Sequence, residues 1–315
     1  MLKNILVPLD GSPLSESALP YAEALAKRTG ASLALVRAAH KPVAPLGDVA
    51  TDTQRAVMDA EGYLDVLSGQ LAKRGFEVQT GVPFGGSATD WIIEEIDLRK
   101  VDLIVMATHN RIGPDRWVHG SVAEAVVHRA AIPVMLVRDG PDQSPAQAWG
   151  ESQPVLIVPL DGSELAEAAL PTVKELVQTL GARVVLLGVT LPPGQLVAGP
   201  GAVVAYVESD HAQVEADARA YLDQMKARIG VAPISVETSV RQGQPAQEIA
   251  AAAREYSAAA VVMATHGRTG LVRSILGSVA GGVLHHSTVP LVLVHPKQIR
   301  VTEQRVVQQA AAVTW

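Results

Sequence analysis

A glycine- and serine-bearing segment in the second half of the chain has the residue types that bind phosphate. It runs from Ala264 to Ser278 with the sequence ATHGRTGLVRSILGS. Gly267 and Gly270 let the backbone turn with positive φ and come close to a ligand. Gly277 and Ser278 precede an apolar stretch of small residues that we predict to be helical. Free N–H groups at a helix start, together with the helix dipole, form an anion site, so this segment predicts a place for a polyanion.

Polar side chains around the segment could complete a nucleotide site. The hydroxyl of Ser278 is a hydrogen-bond donor, and Arg268 and Arg273 could make charge-assisted contacts with phosphate. Asp161 follows an apolar stretch, and its carboxylate could accept hydrogen bonds from ribose hydroxyls, as an acidic residue does in other nucleotide-binding sheets. These residue types favour a nucleotide as the ligand.

Each of these features also has a purely structural interpretation. An Asp before Gly-Ser commonly forms a turn or a cap, and loop glycines are most often turn residues. His109 and His266 are more often hydrogen-bonding loop residues than catalysts. The adjacent His285 and His286 point in different directions on a helix, which argues against a metal pair. No HExxH, GxxxxGK[ST], GxGxxG or GxSxG motif occurs, so we predict neither a catalytic residue nor a metal site.

The chain repeats its motifs in order, which gives the separate features more weight. The sequence ILVPLDGS at 5–12 recurs as LIVPLDGS at 156–163, VMATH at 105–109 recurs at 262–266, and GSVA at 120–123 recurs at 277–280. Such self-similarity indicates a duplicated domain. We predict a first domain over residues 1–138, a linker over 139–152, a second domain over 153–297 and a C-terminal tail over 298–315.

Composition excludes several classes of protein. A length of 315 residues suggests two domains, and 48% hydrophobic residues exclude a largely disordered chain. The net charge of −6 and the scarcity of aromatic residues (3%) argue against nucleic acid as a partner. There is no cysteine, and no apolar run is long enough to span a membrane. We therefore expect a soluble, cytoplasmic protein.

Strand and helix patterns alternate within each repeat. Residues 5–9, 33–38, 76–80, 102–107 and 134–137 are predicted strands of the first repeat, and 57–71 and 90–98 are predicted helices. Ser12 is a predicted N-cap with Pro13 at the first helical position, whereas Pro20 and Pro171 predict a kink or break. The expected fold is α/β, with two open five-stranded parallel sheets covered by helices on both faces.

The repeated motifs resemble those of the universal stress protein family in its tandem two-domain form, over about residues 1–138 and 153–296. Nucleotide-binding members of that family carry a loop written G-x2-G-x9-G-[ST]. The second repeat fits it as Ala264-x2-Gly267-x9-Gly277-Ser278, with Ala in place of the first Gly. The first repeat aligns as Ala107-x2-Asn110-x9-Gly120-Ser121. The resemblance implies a Rossmann-like, adenine-nucleotide α-hydrolase-like fold, ATP or a related adenine nucleotide as ligand, and dimerisation through the last strand.

The resemblance also implies roles for individual residues. In the second repeat Asp161 would face the ribose. The adenine side would be lined by Pro159, Leu160, Val189 and Met263, and the phosphates would be held by Gly267, Gly277, Ser278 and Val279. The matching positions of the first repeat are Pro8, Leu9, Asp10, Ala38, Met106, Asn110, Gly120, Ser121 and Val122.

The first repeat departs from the family pattern beside the expected phosphates. Asn110 tolerates a left-handed conformation, so the turn could survive, but an acidic Asp115 would oppose phosphate binding although Arg111 and Arg116 remain. We therefore expect ATP, with any Mg²⁺ arriving on its phosphates, to bind more tightly in the second repeat. The first repeat would bind weakly or act as a structural partner.

Three functions stay open at this point. The first is a nucleotide-binding stress-response or signalling protein, whose nucleotide state a protein partner reads through an interface or through a lid at 191–205. The second is a slow ATPase, for which His266 is the titratable residue near the phosphates. The third is a nucleotide-free interaction scaffold. The apolar last strands, at 132–138 and 289–295, could pair the two domains within one chain, and two chains could then form a homodimer.

Overall fold

The computed structural model describes ten ranges of the chain. They are 2–39, 49–108, 121–138, 145–150, 153–191, 197–198, 204–205, 211–230, 235–265 and 276–294. The chain divides into two compact units, built mainly on Met1–Ser152 and Gln153–Leu291.

The first unit is a parallel sheet with its helices in the crossovers. Its strands β1 to β5 are Asn4–Leu9, Ser32–Arg37, Val78–Gly81, Leu103–Thr108 and Val134–Arg138. Its helices α1 to α6 are Pro13–Glu16, Leu19–Thr29, Val49–Lys73, Ala88–Leu98, Ser121–Arg129 and Pro145–Gly150. The strand order is β5-β4-β1-β2-β3, so the order reverses at β1.

The second unit repeats this arrangement. Its strands β6 to β11 are Val155–Pro159, Arg183–Thr190, Val197–Ala198, Val204–Ala205, Val236–Gln242 and Ala260–Ala264. The last strand, β12 (Leu291–Val294), begins at the final residue of this unit. Its helices α7 to α11 are Glu164–Glu167, Leu170–Leu180, His211–Ile229, Pro245–Glu255 and Ser278–His286. The parallel order β10-β7-β6-β11 reverses at β6, and β8 and β9 form a separate antiparallel pair. The predicted fold class, a parallel α/β sheet with helices on both faces, is confirmed.

The central strands are apolar because both faces of the sheet are covered. Ile5, Leu6 and Val7 in β1 are fully buried, as are Ile157 and Val158 in β6. Continuous apolar runs of this kind are typical of parallel sheets. They fix the strands in the core and leave the polar residues for the ends of the strands.

The first helical segment of each unit breaks where the prolines predict. The side chain of Ser12 caps α1 by accepting a hydrogen bond from the amide of Ser15, and α1 ends at Glu16. A new helix, α2, then starts with Pro20 in its first turn, where a missing N–H removes no helical hydrogen bond. Pro171 lies in the first turn of α8 in the same way. The predicted cap and the predicted break are thus confirmed.

A tyrosine–glutamate hydrogen bond ties the short helix to the long helix in both units. The Tyr63 hydroxyl in α3 donates to Glu16 Oε1 at 2.8 Å, and the Tyr221 hydroxyl in α9 donates to Glu167 Oε1 at 3.3 Å. Arg228 also pairs with Glu167. Burial, followed by the nearby Glu167 charge, raises the pKa of Tyr221 to about 12.

Part of the predicted linker is helical and packs on the first unit. Trp149 in α6 is buried, and its carbonyl oxygen accepts a hydrogen bond of 3.0 Å from Arg28 Nη1 in α2. The Gly- and Pro-rich composition of the segment did not predict this helix. The helix forms because burial of one large indole side chain outweighs weak local helix propensity. The predicted C-terminal tail lies outside the described residues.

The raised pKa of Tyr221, caused first by its burial, predicts how stability depends on alkaline pH. The unfolded tyrosine ionises near 10, below the folded pKa, so the folded state keeps a proton that the unfolded state loses. The free energy of unfolding should therefore fall as pH rises from about 10 towards 12. The free energy of unfolding of the Tyr221→Phe variant should fall less as pH rises. Urea unfolding at a series of pH values from about 8 to 11 would measure this difference.

Glu167→Gln is the control, because it keeps a hydrogen-bond acceptor and removes the charge that helps to raise the tyrosine pKa. It should weaken the alkaline loss without abolishing it. The same pH dependence in wild type and Tyr221→Phe would contradict the assignment.

Candidate functional site

A cavity of about 440 Å³ lies at the carboxyl ends of the strands of the first unit. The family resemblance implies ligand contacts at a set of first-repeat positions. All of these positions that the structure describes line the cavity. These positions are Pro8, Leu9, Asp10, Ala38, Met106, Ala107, Ser121 and Val122. Asn110 and Gly120 lie outside the described residues. Residues from four elements distant in sequence thus meet around one space.

The reversal of strand order creates this space. β1 pairs in parallel with β2 on one side and with β4 on the other. The chain continues from β2 to β3 and from β4 to β5, so these two connections lead away from β1 in opposite directions. A crevice therefore opens beyond the end of β1, which is where ligands bind in open α/β sheets. Helix α5 begins at Ser121, which lines the crevice. The partial positive charge at the start of this helix therefore lies beside the crevice.

Asp10 forms part of a turn, and its ionised carboxylate lines the cavity. Its Oδ1 accepts a hydrogen bond of 2.8 Å from the Ser12 amide. Burial alone would raise its pKa, but hydrogen bonds from Ser12 and Ser15 outweigh burial and hold the pKa of Asp10 below its usual value. An ionised carboxylate has about four lone-pair positions, more than these contacts use. Asp10 is therefore an acceptor that suits a hydroxyl donor on a ligand.

Arg37 is a cavity residue that the sequence motifs did not reveal. It ends β2, and its guanidinium lies 4.6 Å from the centre of the Tyr63 ring. A Cβ on Gly11 would come within 2.9 Å of Arg37 Cζ, so the glycine makes room for the guanidinium. Within the described ranges this guanidinium donates no hydrogen bond. The one available signal was a charged residue at the end of an otherwise apolar strand.

Trp91 and Asp59 also line the cavity without having been predicted. Trp91 belongs to α4, and its indole packs on Gly86, where an added Cβ would lie 3.5 Å from the ring. A second recess of about 270 Å³ shares Ala38 and Trp91 with the main cavity. The signal for Trp91 was the glycine pair that precedes α4, since glycines often allow a close approach.

The second unit places the matching residues at the ends of its own strands. Pro159 ends β6 and is followed by Leu160 and Asp161, and Val189 lies in β7. Met263 and Ala264 end β11, and Gly277 is the N-cap of α11, which begins with Ser278 and Val279. The remaining predicted residues His266, Gly267, Arg268 and Gly270 lie outside the described residues.

Hydrogen bonds at this second site leave some donors open. Asp161 Oδ1 accepts from the amide and the hydroxyl of Ser163, as Asp10 accepts from Ser12. The amide of Gly277 donates to the Thr265 carbonyl at 2.9 Å, so this N–H is already used. The amides of Ser278 and Val279 donate to none of the described residues. Those two amides are therefore among the open donors at this helix start.

Two positions give the units different walls. Arg37 precedes Ala38 in the first unit, and Gly188 precedes the matching Val189 in the second. Trp91 follows Gly86 by five residues, and Glu248 follows Gly243 by the same interval. The indole packs on Gly86, and a Cβ on Gly243 would lie 2.8 Å from Glu248 Oε1. The backbone is thus repeated while the side chains that shape the site are not.

Across the described ranges, no group of three or more His, Asp or Glu residues is arranged to hold a metal ion. None of the described helices has the length and apolar character needed to cross a membrane.

Comparisons with known proteins agree with the duplicated architecture. The model of the universal stress protein family matches residues 1–138 and again 155–295. Universal stress protein MJ0531 of Methanocaldococcus jannaschii is 30% identical over 152 residues, which cover 44% of this chain and 83% of that protein. The Haemophilus influenzae universal stress protein E homolog is 25% identical over 75% of this chain and 74% of its own length.

A solved structure shares the fold of both units. The crystal structure of a universal stress protein from Archaeoglobus fulgidus superimposes with a TM-score of 0.69 at 23% identity. The match covers 93% of this chain and 98% of that chain.

The close approach of Arg37 to Gly11 predicts that substitutions at these two residues are coupled in their effect on stability. Gly11 has a φ of 83°, so Gly11→Ala should cost about 1–2 kcal/mol for the left-handed backbone. The new Cβ should also push Arg37 away from Tyr63, at a further cost of about 0.5–1 kcal/mol. Denaturant unfolding would measure both, and in an Arg37→Ala background only the backbone cost should remain.

Gly30→Ala is the matched control, because Gly30 has a φ of 72° and nothing within 4 Å of an added Cβ. Its cost should be the same in the wild-type background and in the Arg37→Ala background. If Gly11→Ala costs the same in both backgrounds, the packing of Arg37 on Gly11 does not contribute to stability.

Proposed function

This chain belongs to the universal stress protein family, and we propose that within it the protein binds an adenine nucleotide and acts in stress response or signalling. ATP is the proposed ligand, and Mg²⁺ would accompany its phosphates. The protein acts as a binding protein in this proposal, with hydrolysis at most a slow side activity.

The observation that carries the proposal is the convergence of residues at the first-unit cavity. The positions that the family resemblance implies as contacts lie in β1 and β4, directly after β1 and β2, and at the start of α5. All of them that the structure describes line one space of about 440 Å³. A space of this size suits a nucleotide-sized ligand. An ionised Asp10 favours hydroxyl donors such as those of ribose, whereas the start of α5 favours an anion such as phosphate.

The second unit is the proposed tighter site. Its loop keeps Gly267, Gly277 and Ser278 of the family pattern, and the amides of Ser278 and Val279 are open to a ligand. The first unit instead carries Asp115 in the corresponding loop, and a carboxylate near phosphates opposes binding. The same backbone would then hold the same ligand with two affinities.

The readout of the nucleotide state is proposed to pass through the segment after β7. This segment includes the strand pair β8–β9, in which Val197 is opposite Ala205. It follows the strand that carries Val189, a residue proposed for the adenine side. A change in this segment on nucleotide binding would be available to a protein partner.

The proposal predicts ATP binding that depends on the start of α11. Isothermal titration should show ATP binding to the wild-type chain. In the Gly277→Val/Ser278→Ala double variant the tighter affinity should fall by about 10- to 100-fold, because hydrogen bonds to a charged group contribute about 1.5–3 kcal/mol. Ser121→Ala, the matching change in the first unit, is the control and should leave the tighter affinity unchanged.

Nucleotide extraction from the purified protein, with identification by mass, separates this function from a nucleotide-free scaffold. Recovery of an adenine nucleotide, or heat on titration with ATP, supports the proposal. Absence of both would favour the scaffold. Equal heats in the wild type and the double variant would refute the assignment of the tighter site to α11.

A further inference from the structure

The first-unit cavity has an aromatic wall that no position of the family motif supplies. Trp91 is half-buried at the start of α4 and lines both the main cavity and the adjoining recess. One edge of its indole lies against Gly86, where an added Cβ would be at an ordinary contact distance of 3.5 Å. The ring therefore borders the Gly86 backbone along one edge, while other parts of its surface border open space.

The lining of the main cavity has an apolar part and a polar part. Trp91 and Ile92 from α4, with Met106 from β4, belong to the apolar part. The polar part includes Asp10, Arg37, Asp59 and Ser121. A ligand that satisfies both sets has a flat apolar ring at one end and hydroxyl or anionic groups at the other, as a nucleotide has.

The recess shows that space continues past the indole. It holds about 270 Å³ and is bounded by Ala38, Ala39, Ala88 and the Gly85–Gly86 turn as well as by Trp91. These small residues leave room at the level of the tryptophan ring. A ring placed against Trp91 would therefore meet neither a bulky side chain nor a charged one on the recess side.

The second unit has a different side chain at this position. Glu248 stands five residues after Gly243 and lies 3.7 Å from Arg241, so an ion pair occupies the place of the indole. A carboxylate offers no face for stacking. At this position the two units thus differ in the side chain and not in the surrounding backbone.

We propose that Trp91 is the residue on which the planar heteroaromatic ring of the ligand stacks in the first unit, and that it determines the specificity of this unit for ligands with such a ring. The inference rests on the proposed nucleotide binding and goes further, because it assigns the ring contact to a residue outside the family motif. Stacking of a base on an aromatic side chain tolerates different bases, since each has a flat π face. The first unit should then select the ring and not its edge substituents.

The test uses the full chain with the second unit silenced by Gly277→Val/Ser278→Ala. In that background Trp91→Leu and Trp91→Glu should weaken ATP binding by about 5- to 100-fold, the range for loss of one base–aromatic stack. Trp91→Phe, which keeps a flat ring, should stay within about threefold of the silenced parent chain. Inorganic tripolyphosphate, which has no ring, should bind the parent and its uncharged variants Trp91→Leu and Trp91→Phe equally.

Fluorescence gives an independent measurement that does not depend on the Leu and Glu variants folding. ATP should quench part of the tryptophan emission of the second-unit-silenced chain, and that part should be missing from its Trp91→Phe variant. Quenching that is unchanged in Trp91→Phe would overturn the inference.

The failures of the two proposals are distinguishable. ATP binding in the first unit with equal affinity before and after the Trp91→Leu substitution, or an equal loss for tripolyphosphate, overturns the role of Trp91 alone. ATP binding confined to the second unit overturns the inference and leaves the proposed function intact. ATP binding to neither unit of the wild-type chain overturns both.

Discussion

β1 of the first unit is hydrogen-bonded to β2 on one side and to β4 on the other, and β6 of the second unit lies between β7 and β11 in the same way. The chain continues from β2 to β3 on one side of β1 and from β4 to β5 on the other, and this divergence opens a crevice beyond the end of β1. The apolar residues before that end, such as Leu6 and Ile157, are fully buried and hold the strands in register. Every polar group of the candidate site depends on this arrangement for its position.

The two interpretations of the aspartate at the strand end are compatible in the structure. Asp10 uses one carboxylate oxygen to order the turn before α1, as a turn-forming Asp does. The same hydrogen bonds keep the carboxylate ionised, because they stabilise the charged form more than burial destabilises it. An ionised carboxylate repels phosphate and accepts from hydroxyls, so the turn itself decides which end of a nucleotide Asp10 could contact. A structural role thus prepares the chemical one.

Local patterns predicted most of the fold and only part of the character of the site. The strands, the Ser12 cap and the break before Pro20 depend on neighbouring residues, so periodicity and proline chemistry were sufficient. Arg37 and Trp91 were missed because their roles arise from contacts with Gly11 and Gly86, which only the folded chain brings against them. The helix α6 was missed for a related reason, since it is stabilised by the burial of its tryptophan and not by its own composition. Tertiary packing at the rim of the sheet is what local patterns do not encode.

The duplicated backbone explains why the two units can differ in chemistry without differing in fold. The strands must stay apolar to remain buried, so they change little, whereas the residues beyond their ends carry no such constraint. At one of these positions the second unit has Gly188, and Leu222 lies 3.4 Å from the Cβ that this glycine lacks, so protein fills the space. The first unit has Arg37 there, with guanidinium donors that none of the described residues accepts. Because the cost of such changes is confined to the rim, one copy can alter its ligand chemistry while the other keeps its own.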